Sequence, residues 1–133
     1  MKPHLLLDTH ILVRWLIDSK RLSRSQTKAI ETAVQRGEPI AISAITLLEI
    51  AILTSAGKLI FAAGLDSFLN NLRGNPIFRL LPLSYEVALE IASLGILNDP
   101  ADRTIVSTAR LHQLRLVTSD QRIVESKLAS VVE

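Results

Sequence analysis

Five carboxylates in this chain stand where each needs a partner, a cap or a cation. Asp8 closes the apolar run "HLLL", Glu49 lies inside "AITLLEIAIL", Asp99 and Asp102 fall in "NDPADRTIVSTA", and Asp120 ends "LVTSD". Plain structural roles suit several of them. Asp8 and Asp99 are placed to cap following helices, Asp102 suits the positive first turn of a helix, and Asp120 suits a turn. Glu49 is harder to place, because Leu47, Leu48, Ile50, Ala51, Ile52 and Leu53 leave its helix almost no polar face. A buried, unpaired carboxylate costs on the order of several kcal/mol, so Glu49 requires an ion pair, with Lys58 or an arginine, or a cleft holding a cation. If Asp8, Glu49, Asp102 and Asp120 share one crevice, their mutual repulsion is relieved by a divalent ion. There is no cysteine, and His4, His10 and His112 are dispersed, so an oxygen-only donor set favours Mg²⁺ or Mn²⁺ over Zn²⁺. Neutralising one member, as in Asp8→Asn, is then expected to leave the metal-free fold intact or more stable.

The elements that must hold these groups follow from apolar runs and punctuation. Short strands are expected over 4–7, 40–43, 78–81 and 116–118, with a weak edge strand at Val131 and Val132. Helices are expected over 11–17, from Ser23 to Arg36 with Gly37 as the stop, over 45–54, over 65–72, over 84–94 capped by Ser84, and from Asp99 to about His112. The Ser23 and Gln26 pair reads as a capping box, and Pro100 after Asp99 as a helix start. Strands alternating with helices give an α/β class, with a mostly parallel sheet of four or five strands and helices on both faces. In such sheets ligands bind beyond the carboxyl ends of the strands, where Asp8 and Asp120 lie.

With 133 residues, 48% hydrophobic and 21% charged, the chain reads as one folded domain over 1–133. No apolar run reaches the ~18 to 20 residues that span a bilayer, so no membrane anchor is expected and a cytoplasmic location fits.

Taken together and in order, "LLLDTH", "ISAITLLEIAIL", "NDPADRTIVSTA" and "LVTSD" resemble the PIN domain, and within it the VapC-type ribonuclease toxins of prokaryotic toxin-antitoxin pairs. The resemblance covers nearly the whole chain. It implies an acidic quartet of Asp8, Glu49, Asp102 and Asp120, hydroxyl support from Thr9 and Ser119, and a further acid at Asp99. It also implies endonucleolytic RNA cleavage with one or two Mg²⁺ or Mn²⁺ ions, Asp8, Asp102 and Asp120 being direct ligands and Glu49 a ligand through water. In this mechanism the ions activate water and stabilise charge on phosphate oxygens, so no protein nucleophile is required.

Setting the five acids aside leaves eight acidic side chains against 15 basic ones, a surface suited to a phosphate backbone. Arg103, beside Asp102, is the first candidate for a phosphate contact, followed by Arg14, Arg110 and Arg122. The few aromatics do not suggest base stacking, and Trp15 is expected in the core. His10 is expected to pack or cap. The apolar stretch containing Leu53, Ile60, Phe61 and Phe68 exceeds what a small core needs. By resemblance to the toxins it implies an antitoxin-binding groove, and a homodimer is expected by the same resemblance. Two other readings compete. One is a Mg²⁺-dependent phosphatase of the haloacid dehalogenase type, which needs a second acid where this chain has His10. The other is a PIN-fold interaction domain without catalysis.

Overall fold

Alternate residues of a strand face opposite ways, and in this protein that alternation builds two cores. The computed structural model describes residues 1–133. Its strands are β1 (Leu5–Leu7), β2 (Ile40–Ser43), β3 (Phe78–Leu81), β4 (Arg115–Val117) and β5 (Val131–Val132). They form one sheet in the order β3-β2-β1-β4-β5, every neighbouring pair parallel. The helices are α1 (Thr9–Ile17), α2 (Arg24–Gln35), α3 (Ala44–Ser55), α4 (Leu65–Gly74), α5 (Tyr85–Ala92), α6 (Pro100–Leu111) and α7 (Gln121–Ser126), with one 3₁₀ turn at Ser19–Arg21.

Leu5, Leu7, Ile40 and Ile42 turn to one face, where Ile11 and Leu12 of α1, Ile30 of α2, Ile50 of α3 and Leu72 of α4 cover them. Leu6, Ala41 and Leu116 turn to the other, against Ile105, Val106 and Ala109 of α6 and Ile123 of α7. Both faces are thus covered, as expected of parallel strands that are apolar throughout. Trp15 lies in the outer layer of the first core, edge-on to Phe78 with ring centroids 5.9 Å apart.

Helix starts follow the capping chemistry. Ser23 and Gln26 exchange both hydrogen bonds of a capping box, Ser84 accepts from the Val87 amide, and Asp99 accepts from Ala101 and Asp102. Helix α2 stops at Gly37, whose φ of 71° suits a residue without a Cβ.

Two expectations are corrected. Asp8 caps its helix directly, so α1 begins at Thr9 rather than Ile11, and the short α7 follows Asp120 where only a turn was read. Helix α3, apolar on nearly every side, is also not enclosed: Thr46 and Ile50 are buried, while Leu48 and Ile52 are 53% and 56% exposed. No helix is long and apolar enough to cross a membrane.

Candidate active site

The carboxyl ends of β1 and β4 are adjacent, and the ladder between them runs one residue further, with the Asp8 amide donating to the Val117 carbonyl at 3.0 Å. This brings Asp8 beside Thr118 and sets Asp120 two residues on. The N-terminus of α6 delivers Asp99 and Asp102, and α3, leaving β2, delivers Glu49. All five carboxylates line one cleft of about 360 Å³. The side chains of Asp8, Asp102 and Asp120 are 7%, 14% and 19% exposed, so the cleft floor is Asp8 and its rim the other two.

Hydrogen bonds fix the floor. Asp8 Oδ1 accepts from the Thr9 amide at 2.8 Å, and Oδ2 accepts from the Thr118 hydroxyl at 2.7 Å. The same Thr118 oxygen accepts from the Asp120 amide at 3.0 Å, so one fully buried threonine ties two of the acids together. The Thr9 hydroxyl donates to Glu49 at 2.5 Å and meets Thr46 at 2.9 Å. His10, its side chain 33% exposed, lines the same cleft beside Asp8. Its Nε2 accepts from the Ser119 amide at 3.0 Å, and its Nδ1 lies 3.5 Å from Asp8 Oδ2. An accepting Nε2 requires the neutral ring, and burial, followed by Arg14, pushes the His10 pKa below its ordinary value despite Asp8.

Electrostatic strain collects at Asp102. Burial, then the charges of Asp120, Asp99 and Asp8, raise its pKa to about 7. Glu49 is also raised, mainly by burial, with Asp8 and Asp99 adding repulsion and the Thr9 hydroxyl opposing it. Asp120 differs: burial works against its charge, but hydrogen bonds from the side chain and backbone of Arg122 hold its pKa below the ordinary range. The Arg122 guanidinium lies 3.2 Å from Asp120 and 3.6 Å from Asp102, a cation bridging the rim.

Some of the expected roles change hands. Thr118, rather than Ser119, supplies the supporting hydroxyl; Ser119 accepts from the Gln26 side chain and offers its amide to His10. Arg103 does not line the cleft: its Nε bonds the Leu97 carbonyl, and Arg110 pairs with Glu90. Arg14 and Arg122 do line it, joined by Arg21 and Lys58, which were not read as substrate contacts. Lys58 makes no ion pair with Glu49, whose carboxylate is held by Thr9 alone. Leu53, in the last turn of α3, lines the cleft, and Ile60, in the stretch after it, is 82% exposed. Phe61 and Phe68 instead stack on each other at 4.1 Å and pack against the first core, so they are not a free apolar surface.

As placed, no three acids or histidines close around a single point. An oxygen-only cleft of this kind still fits Mg²⁺ or Mn²⁺, since Mg²⁺ commonly keeps several waters and takes one or two carboxylates together with substrate phosphate. The raised pKa of Asp102 points the same way, because a carboxylate crowded by like charges gains from a cation.

A parallel sheet that gathers acids at the carboxyl ends of its strands defines the class. The family model for the PIN domain matches residues 5–127. Ribonuclease VapC22 of Mycobacterium tuberculosis is 34% identical over 120 residues, spanning 89% of this chain and 88% of that protein. Among solved structures, the FitAcB structure from Neisseria gonorrhoeae matches with a TM-score of 0.69 at 23% identity, covering 97% of this chain and 96% of the other. VapBC2 from Rickettsia felis, bound to a DNA fragment from its promoter, matches with a TM-score of 0.69 at 19% identity and 96% coverage of each chain. The chain belongs to the PIN-domain family, among its VapC-type members. That membership sets aside the phosphatase reading.

Proposed function

We propose that this protein is a Mg²⁺- or Mn²⁺-dependent endoribonuclease, the toxin of a toxin-antitoxin pair. The observation that carries the reading is the convergence of Asp8, Glu49, Asp99, Asp102 and Asp120 on one cleft at the carboxyl end of the sheet, in a chain 34% identical to a named ribonuclease. Asp8, Asp102 and Asp120 are the residues to hold one or two ions, with Glu49 acting through water and Thr9, Thr118 and Asp99 in support. Such ions, when bound, activate water and stabilise charge on phosphate oxygens. The chain's own part is to fix the carboxylates. Asp8 is locked by two donors, while Asp120 is anchored through its amide, which donates to the Thr118 hydroxyl, and its carboxylate accepts from Arg122. Asp102 would hold an ion as the carboxylate, and Arg14, Arg21 and Lys58, which line the same cleft, would offer charge to RNA phosphates.

Purified protein incubated with RNA should cleave it with Mn²⁺ or Mg²⁺ and not with EDTA. Undiminished cleavage in EDTA would overturn the mechanism, and neither Mn²⁺ binding nor RNA cleavage would favour the silent interaction domain.

The partners that go with this reading are RNA, a cognate antitoxin and a second copy of the chain, in the cytoplasm. Among the apolar residues once grouped as an antitoxin surface, Ile60 gives the clean test, because at 82% exposed it can change without disturbing the core. Ile60→Glu should weaken antitoxin binding while metal-dependent cleavage persists, as measured by calorimetry and a cleavage assay. Light scattering on the isolated chain reads the dimer.

A further inference from the structure

Away from the acidic cleft, a second groove of about 400 Å³ runs along one side of α2. Ser25, Lys28, Thr32 and Arg36 line it from the first turn of the helix to its C-cap, and Arg115 at the start of β4 faces them. On an α-helix these positions succeed one another along one side, so the groove extends roughly 16 Å from Ser25 to Arg36.

Its charge is unbalanced. Glu38 is the only acid lining the groove, and His4 Nδ1 lies 3.1 Å from its carboxylate. Lys28, Arg36 and Arg115 have no carboxylate partner and make no side-chain hydrogen bond, although the chain carries 13 acids. Three unpaired cations, with the hydroxyls of Ser25 and Thr32 in the same groove, make a surface for an anion with repeated charge.

The groove is also joined to the cleft. Arg21 lines the cleft and Ser25 lines the groove, and the four residue steps from one to the other span at most about 14 Å. The first turn of α2 is held in place: Gln26 is 1% exposed and donates to the Ser119 hydroxyl at 2.9 Å, next to Asp120, while Ser23 donates to a main-chain oxygen of Glu133. Helix α2 is thus a fixed strut whose basic side leads away from the acids.

We propose that the α2 groove is a second phosphodiester site, in which Lys28, Arg36 and Arg115 hold the backbone of single-stranded RNA several nucleotides from the bond cut in the cleft. This rests on the ribonuclease reading of the cleft. The contact is to phosphate rather than to bases, so it adds affinity and length preference without sequence choice.

The test is the triple variant Lys28→Gln, Arg36→Gln, Arg115→Gln, all at exposed side chains outside the cleft. Binding of an RNA of about 20 nucleotides is followed by fluorescence anisotropy in metal-free buffer at several salt concentrations, where the slope of log affinity against log salt should drop by about 2, at roughly 0.7 per single-strand phosphate contact. With Mn²⁺, KM for that RNA should rise about tenfold, while kcat, Mn²⁺ affinity and cleavage of an RNA of about 5 nucleotides stay unchanged. An unchanged salt slope, or equal loss on long and short RNA, would overturn the proposal, and duplex DNA bound with the same dependence would overturn its assignment to RNA. If the parent protein cleaves no RNA at all, the reading of the cleft fails, and the metal-free slope still decides whether the groove holds the strand.

Discussion

The acidic cleft and the basic groove are held by opposite means. In the cleft, Asp8 is fixed by two hydrogen bonds, Asp120 by Thr118 and Arg122, and Glu49 by Thr9. In the groove, Lys28, Arg36 and Arg115 are fixed by nothing. Chemistry at one phosphorus demands carboxylates placed to fractions of an ångström, and hydrogen-bond donors supply that placement for Asp8 and Asp120, whereas Asp102 is met only by Arg122 at 3.6 Å. Attraction to a phosphate chain demands only charge, and flexible side chains supply it at a density that folding need not specify. Carboxylate substitutions should therefore act on rate and on ion affinity, while groove substitutions act on salt dependence.

The largest expected effect is loss of detectable cleavage in Asp8→Asn or Asp120→Asn, with RNA affinity in metal-free buffer retained, measured by end-mapping and anisotropy; loss of both together would mean that the two regions are not separable. Next is Thr118→Val, which removes a buried hydroxyl serving Asp8 and Asp120 at once. A roughly 10- to 100-fold loss in Mn²⁺ affinity or activity is expected, the usual scale for groups that orient metal ligands, with groove binding unaffected.

A third test uses pH. Asp102 holds its proton up to about 7 in the folded chain and releases it near 3.8 when unfolded. Between these values the native state binds more protons, so without metal the stability contribution of this group falls as pH rises through that window and is flat above it. Asp102→Asn should raise the metal-free melting temperature at pH 8 and flatten the slope. In the parent protein Mn²⁺ affinity should strengthen as pH rises towards 7, because the ion must displace that proton, and then level off. The smallest effect is Asp8→Asn on stability. The sequence suggests that relief of repulsion would stabilise this variant, but Asp8 accepts from two donors. Its melting temperature should therefore fall or stay level while that of Asp102→Asn rises.

The parallel sheet could be read from apolar runs alternating with helices, though not its strand order, and the quartet from the resemblance of its motifs to the PIN domain; the structure gathers those four acids in one cleft. What could not be read depends on which way neighbouring residues point. Arg103 follows Asp102 in the chain, but consecutive helical residues are about 100° apart, and that turn sends Arg103 to the Leu97 carbonyl while Asp102 faces the cleft. Thr118 and Ser119 are adjacent hydroxyls, and only the pairing of β4 with β1 decides that Thr118 reaches Asp8. His10 became legible only once the Ser119 amide was placed against it. The α2 cations are scattered in sequence, and their shared groove exists only because Arg115 arrives from β4.

The strand order carries a consequence for the protein as it leaves the ribosome. β1 holds Asp8 near the start of the chain, yet one of its two neighbours is β4, and the hydroxyl that locks Asp8 belongs to Thr118. A nascent chain that has emerged only to about residue 110 has made three of the five strands but has neither β4, Thr118 nor Asp120. The centre of its sheet is an open edge, and its first carboxylate has no partner across the ladder. Stalled or truncated translation products should therefore be inert as nucleases and prone to pair through that edge. Activity requires the segment that carries β4, Thr118 and Asp120 to have left the ribosome and paired with β1.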